Sequence, residues 1–254
     1  MWYIFVTDRE IINAFVVSLR NYGHPSLSVD QWPEDKNRNS PEIDAIAGPY
    51  AIEHTSVDYL PNQRRDSDWF MRVTEGLEQE FSTILQFRLN IRIEYDAICK
   101  GQNWPAIRKA LNIWITQEAP RLLDGRHNLQ DITGVPFRLH ITKASNRRPG
   151  VFFARYLPED NTLSGRIRDR FDCKARKLTK YQRPGITTIL LVENNDIALM
   201  SESDLIEAIR QAYPRGFPPG IDEIWYADTS IPSKIEFKNF TAELREDCHR
   251  NGYN

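Results

Sequence analysis

The segment "GITTILLVEN", residues 185–194, is apolar at nearly every position and shows no alternation of polar and apolar side chains. A strand of that kind has no wet face and must be covered on both sides. That constraint points to a three-layer α/β protein with a mixed central sheet. A chain of 254 residues can bury a sizeable core. With no convincing linker composition, the expectation is a single α/β domain over residues 1–254, with residues 60–130 as a largely helical insertion within the core.

Helix signals surround the apolar strand. Thr7 and Glu10 have capping-box spacing ahead of "IINAFVVSL", and Gly23 supplies a stop. In "RRDSDWFMRVTEGLEQEFSTILQF", Phe70, Val73, Leu77, Phe81 and Ile84 recur at helical spacing and predict one long amphipathic helix. "WPAIRKALNIWITQEA" predicts another, with Pro105 in its first turn. "RLNIRIEYDAI" alternates like a strand, "LDGRHNLQDITG" reads as a polar turn, and "VPFRLHITKA" and "VFFARYL" read as strands joined by the basic loop "SNRRPG". "NTLSGRIRDRFDCKARKLTKY" then predicts a helix with Leu163, Ile167, Phe171, Ala175 and Leu178 inward. Ser201 and Asp204 can cap a further helix, followed by a strand in "IDEIWYAD" and a short one around "KIEFKNF".

Composition narrows the function classes. No apolar run reaches the length of about 18 residues expected of a membrane span, and the N-terminus lacks the pattern of a secretory signal. Cys99, Cys173 and Cys248 are widely separated and odd in number, which suits a reducing compartment, so a cytoplasmic protein is expected. The balance of 33 Lys and Arg against 35 Asp and Glu argues against broad nonspecific nucleic-acid binding. It hides a basic stretch from Arg138 to Arg183, with 13 Lys or Arg against four Asp or Glu. The sequence has no G-x-G-x-x-G, no G-x-S-x-G and no zinc pattern among its histidines.

The chemistry concentrates in "SPEIDAIAGPYAIEHTS", residues 40–56. If Gly48 and Pro49 form a two-residue turn, residues whose numbers sum to 97 face each other. Asp44 then opposes Glu53 and Glu42 opposes Thr55, all on one face. Opposed carboxylates repel unless solvent, a proton or a cation intervenes. The candidates are a solvated hairpin edge and a site for Mg²⁺ or Mn²⁺, which prefer oxygen ligands. His54 points to the other face, as a core or hydrogen-bonding histidine.

Pro41, Glu42 and Asp44 before the turn, with Glu53, His54 and Thr55 after it, resemble the active-site hairpin of the PD-(D/E)XK nuclease superfamily, with its restriction-endonuclease-like fold. The resemblance covers residues 8–57 and 135–193, where the elements follow an α-β-β-β-α-β order. It implies Asp44 and Glu53 as metal-binding acids, with Glu42 an alternative first ligand if the loop differs. The usual lysine position holds Thr55, which cannot supply an ammonium. Lys174 lies between Phe171 and Leu178 on the inward stripe of the basic helix and can replace it, with Lys177 second and Tyr181 placed to orient a phosphate.

The resemblance therefore implies a divergent Mg- or Mn-dependent endonuclease or exonuclease acting on DNA or RNA phosphodiesters. Arg147, Arg148, Arg166 and Arg170 would contact the nucleic-acid backbone. Two alternatives follow from Thr55 and the long helices: a catalytically inactive derivative that binds nucleic acid or protein, and a structural or regulatory module with a protein partner.

Overall fold

The computed structural model describes residues 6–36, 42–196 and 199–250. Its contacts divide the chain into two compact units, residues 1–61 with 160–254, and residues 62–159. The excursion expected over 60–130 therefore runs on to Glu159.

The first unit opens with α1 (Asp8–Leu19). Its capping box forms as expected, with Glu10 N–H donating to Thr7 Oγ1 at 3.3 Å and Thr7 N–H donating to Glu10 Oε2 at 2.8 Å. A 3-10 turn over Arg20–Tyr22 leads to Gly23, whose φ of +99° ends the helix. The short α2 (Pro33–Lys36) precedes the hairpin of β1 (Ala45–Ala47) and β2 (Tyr50–Ser56).

The second unit begins with α3 (Gln63–Thr74) and α4 (Leu77–Phe81). These replace the single long helix expected there, because Gly76 takes φ of +78° and breaks the helical path after Thr74. After β3 (Arg88–Glu94) comes α5 (Trp104–Gln117), which buries Ile107, Leu111, Trp114 and Ile115. Then follow β4 (Gly125–Leu129), β5 (Leu139–Ala144) and β6 (Gly150–Tyr156), giving a four-stranded sheet in the order β4-β5-β3-β6.

This unit thus carries a four-stranded sheet beside its helices. The polar segment read as a turn is in part the edge strand β4, held by backbone pairing to β5 while its side chains stay largely in solvent, so no apolar alternation marks it. Lys143, buried on β5, donates to the carbonyls of Ala119, Pro120 and Leu122 at 3.1, 2.8 and 2.7 Å, tying the 3-10 turn that follows α5 to the sheet.

The chain re-enters the first unit with α6 (Leu163–Thr179), whose five expected inward residues are all buried. β7 (Thr187–Asn194), α7 (Glu202–Ala212), β8 (Glu223–Asp228), β9 (Glu236–Asn239) and α8 (Thr241–Arg250) complete it. Ser201 and Asp204 form the expected capping box on α7.

Among the described residues the sheet has five strands in the order β1-β2-β7-β8-β9; β2, β7 and β8 run parallel, while β1 and β9 are antiparallel edges. The apolar strand is β7, at the centre. One of its faces packs Leu190 and Val192 against α6 and α7, and the other packs Ile189 and Leu191 against α1. Helices therefore cover both faces of a mixed sheet, as the apolar run requires. Of the elements assigned to the α-β-β-β-α-β order, α1, β1, β2, α6 and β7 lie in this unit, while the two strands assigned between residues 135 and 157 belong to the sheet of the second unit.

The hairpin register is Ala45↔Ile52, Ile46↔Ala51 and Ala47↔Tyr50. Gly48 adopts φ of +51° at the first turn position, the type II′ requirement, and its N–H donates to Asp30 Oδ2 at 2.7 Å. A Cβ there would approach Leu27 Cδ1 to 2.9 Å. Gly48→Ala is expected to cost about 1–2 kcal/mol, from positive φ and this contact. Urea denaturation should show it as a lower midpoint, with faster hydrogen exchange at the hairpin amides.

Candidate active site

Continuing the observed register by one pair past β1 sets Asp44 opposite Glu53. Asp44 is fixed by the His54 N–H, which donates to its Oδ2 at 2.6 Å. Glu53 shares its face of β2 with Ala51, Thr55 and the neighbouring Leu190, and is 0% exposed. Pro41, the first residue of the resembling motif, lies outside the described residues.

α6 packs beside β2 and presents Arg166, Arg170, Lys174 and Lys177 along one stripe, each three or four residues from the next, and Tyr181 follows in the turn just after it. Lys174 Nζ donates to Glu53 Oε1 at 2.5 Å, and Lys177 Nζ lies 3.0 Å from the same oxygen. Both candidate lysines thus converge on the candidate acid. Lys177 also reaches Glu34 Oε1, at 3.2 Å. Glu34, on the short α2, carried no sequence signal, since only the fold brings it near.

The remaining candidates divide. Tyr181 Oη donates to Glu42 Oε2 at 2.7 Å, so its observed partner is the alternative acid. Burial and this bond push the Tyr181 phenol up to about 12. Arg166 spends its guanidinium on the carbonyls of Asp58 and Tyr59, at 2.9 and 2.5 Å, and on Asp160 at 2.8 Å. Arg170 donates to the Ser56 carbonyl. These two arginines therefore bind the end of β2 to α6. Arg147 and Arg148 lie exposed in the β5–β6 loop of the second unit.

On the opposite face of β2, His54 is buried with Nδ1 3.5 Å from Asp8 Oδ1 and Nε2 3.7 Å from Glu193 Oε2. Thr229 Oγ1 donates to Glu193 Oε1 at 2.8 Å. His54 is thus a core histidine, as strand alternation implies, and its Nε2 has no hydrogen-bond partner among the described residues.

Burial sets the electrostatics. Desolvation raises the Asp44 carboxyl despite the His54 N–H. Desolvation, then the charge of Asp44, raises Glu53 against the pull of Lys174 and Lys177. Desolvation alone would lower Lys177, but its hydrogen bond to Glu53 leaves it raised. Glu53 Oε2 is buried and has no hydrogen-bond partner among the described residues. An orphaned carboxylate oxygen beside a second carboxylate fits a hard divalent cation. Among the described residues no three His, Cys, Asp or Glu side chains converge as a ligand group. Mg²⁺ is commonly held by one or two carboxylates with water completing its shell, so the Asp44–Glu53 pair fits that pattern and Glu42 is not gathered into it.

No protein-family model matches this sequence, and neither the curated proteins nor the solved structures compared with it give a match.

A carboxyl raised on folding adds stability that is complete below its unfolded value and is lost as pH rises through the folded value. Asp44→Asn should therefore stabilise the metal-free protein at neutral pH by about 0.5–2 kcal/mol, the range common when a functional site is relieved. The gain should vanish as pH falls below the ordinary carboxylate range. Thermal melts across pH check both signs.

Proposed function

We propose that the chain is a divergent metal-dependent nuclease whose hairpin site hydrolyses nucleic-acid phosphodiesters on a restriction-endonuclease-like core. The observation carrying this reading is the convergence of Lys174 and Lys177 on Glu53, which supplies the ammonium that Thr55 lacks. Asp44 and Glu53 Oε2 would hold Mg²⁺ or Mn²⁺. Such an ion, when bound, supplies positive charge to polarise a phosphoryl oxygen and lowers the pKa of water.

The chain's own residues do the rest. Lys174 and Lys177 favour the ionised form of Glu53 against burial and the charge of Asp44, which together leave its carboxyl raised. Their side chains are 23% and 15% exposed, so a phosphate oxygen entering from solvent would meet them. Arg166 and Arg170 hold α6 in register with β2, and the His54 N–H orients Asp44.

One observation favours a second reading. Both ammoniums close on a single oxygen of Glu53, as in a static ion pair, and this supports a catalytically inactive protein that binds nucleic acid.

Incubation with Mg²⁺ or Mn²⁺ and labelled single- and double-stranded DNA and RNA distinguishes the two. Cleavage is expected, with Glu53→Gln and Lys174→Ala each reducing it by about 100-fold or more. Lys177→Ala should have a smaller effect. Metal-independent binding without cleavage would establish the second reading in its place.

A further inference from the structure

The sheet of the second unit has one covered face and one open face. Leu89, Ile91 and Ile93 of β3 and Leu139 and Ile141 of β5 turn inward and pack with Val73, Leu77, Phe81, Ile107 and Leu111 of α3, α4 and α5. Alternation sends the intervening side chains outward. The registers Arg126↔Thr142, Arg92↔His140, Asn90↔Phe152 and Glu94↔Tyr156 fix which residues share that face.

A sheet with one face on the core and one in water normally carries polar side chains outward. Here three arginines, Arg88, Arg92 and Arg126, and two large aromatics, Phe152 and Tyr156, share the open face. Tyr156 is 37% exposed in the full chain, and Arg92 and Arg126 are also exposed. Glu94 is the one acidic side chain that the four strands place there, and its Oε1 lies 3.2 Å from His140 Nε2.

The arginines and rings are interleaved. The Arg88 guanidinium lies 4.0 Å from the centre of the Phe152 ring, and that of Arg92 lies 6.0 Å from Tyr156. His140 meets the Tyr156 ring edge to face at 5.0 Å. Between the two aromatics β6 carries only the exposed Ala154 on that face, so nothing bulky separates them. Four residues of strand set Phe152 and Tyr156 about 13 Å apart.

From this arrangement we infer that the open face of the β4-β5-β3-β6 sheet is a binding platform for single-stranded nucleic acid. Unpaired bases stack on aromatic rings and on guanidinium planes, and both surfaces are offered in alternation along β3 and β6. Phosphates carry the charge that three arginines and one acid leave uncompensated. The exposed Arg147 and Arg148, in the loop that leads into β6, extend the same charge past the end of the strand. A duplex keeps its bases stacked on one another and has no ring to give to Phe152 or Tyr156. The platform is made only from the second unit and does not rest on the hairpin reading.

The test uses the full chain and fluorescence anisotropy with labelled oligo(dT) and oligo(U), without divalent metal. Salt-dependent binding is expected for the parent chain. The double variant Phe152→Leu, Tyr156→Leu keeps an apolar side chain at each position but removes the rings, and should weaken binding roughly tenfold or more. Phe152→Tyr should restore most of it. Replacing Arg88, Arg92 and Arg126 singly by Gln should lower the salt slope by about 0.7 each if each meets a phosphate. Lys238→Gln, a charge change of the same size on β9 of the first unit, should bind as the parent does, which separates this surface from a general effect of net charge.

Three results would each overturn the inference: no binding of either oligonucleotide, binding unchanged in a double-Leu variant whose circular dichroism is that of the parent, or equal competition by duplex.

Discussion

The hairpin site hangs on one carboxylate removed from water and held against two ammoniums. Taking Glu53, Lys174 and Lys177 out of bulk solvent costs several kcal/mol per ion where burial is complete, and mutual attraction offsets this only with close geometry. The raised Glu53 carboxyl shows that the offset falls short, since burial and Asp44 outweigh the lysines. The geometry must therefore be enforced from outside the ion pair. A slip of one residue in α6 would swing Lys174 about 100° around the helix axis. Arg166 and Arg170, bonded to the carbonyls of Asp58, Tyr59 and Ser56, prevent that slip on one side of the lysines, and Tyr181 on Glu42 does so on the other. Residues first read as contacts for a nucleic-acid backbone fix the helix that carries the lysines.

How much was legible depended on whether the signal was local. Gly48 and Pro49 set a tight turn, and the register of the hairpin follows by arithmetic. The inward stripe of α6 and the capping boxes at Thr7 and Ser201 depend only on residues within a few turns, and each formed as expected. What failed depended on partners distant in sequence. β5 and β6 were recognisable as strands, but β3 lies between them, and nothing in their own residues tells which sheet they join. β4 keeps its side chains in solvent and is a strand only because β5 pairs with it. Gly76 was visible, but an apolar period running through it masked the break that its positive φ makes.

Charge shows the same division. The basic stretch from Arg138 to Arg183 counts side chains without regard to where their donors go. Lys143 is buried on three carbonyls, Arg155 packs over Phe70 and Tyr95, and Arg168 donates to the Ala212 carbonyl. With Arg166 and Arg170 also engaged, much of the excess holds the chain to itself and projects little field outward. Two arginines of the open sheet face, Arg88 and Arg92, come instead from β3, in a segment with no conspicuous charge excess. Alternation along a strand can sort charge onto one face while the local sum stays ordinary, so a windowed count misses it.

Thr55 illustrates a related limit on reading chemistry from motif spacing. A motif records which Cα carries a functional group, whereas the reaction responds to where the charged atom lies. A lysine side chain spans enough length that an ammonium can reach one point from β2 itself or from a helix packed beside it. Lys174 was identifiable because a charge on an apolar arc needs a partner inside, and the fold provides one in Glu53. Its neighbour Lys177 reaches the same oxygen from the next turn, at 3.0 Å. This arrangement ties the electrostatics of Glu53 to the packing of α6 on β2, so a substitution that loosens this helix should disturb the ionisation of Glu53 before it disturbs the hairpin.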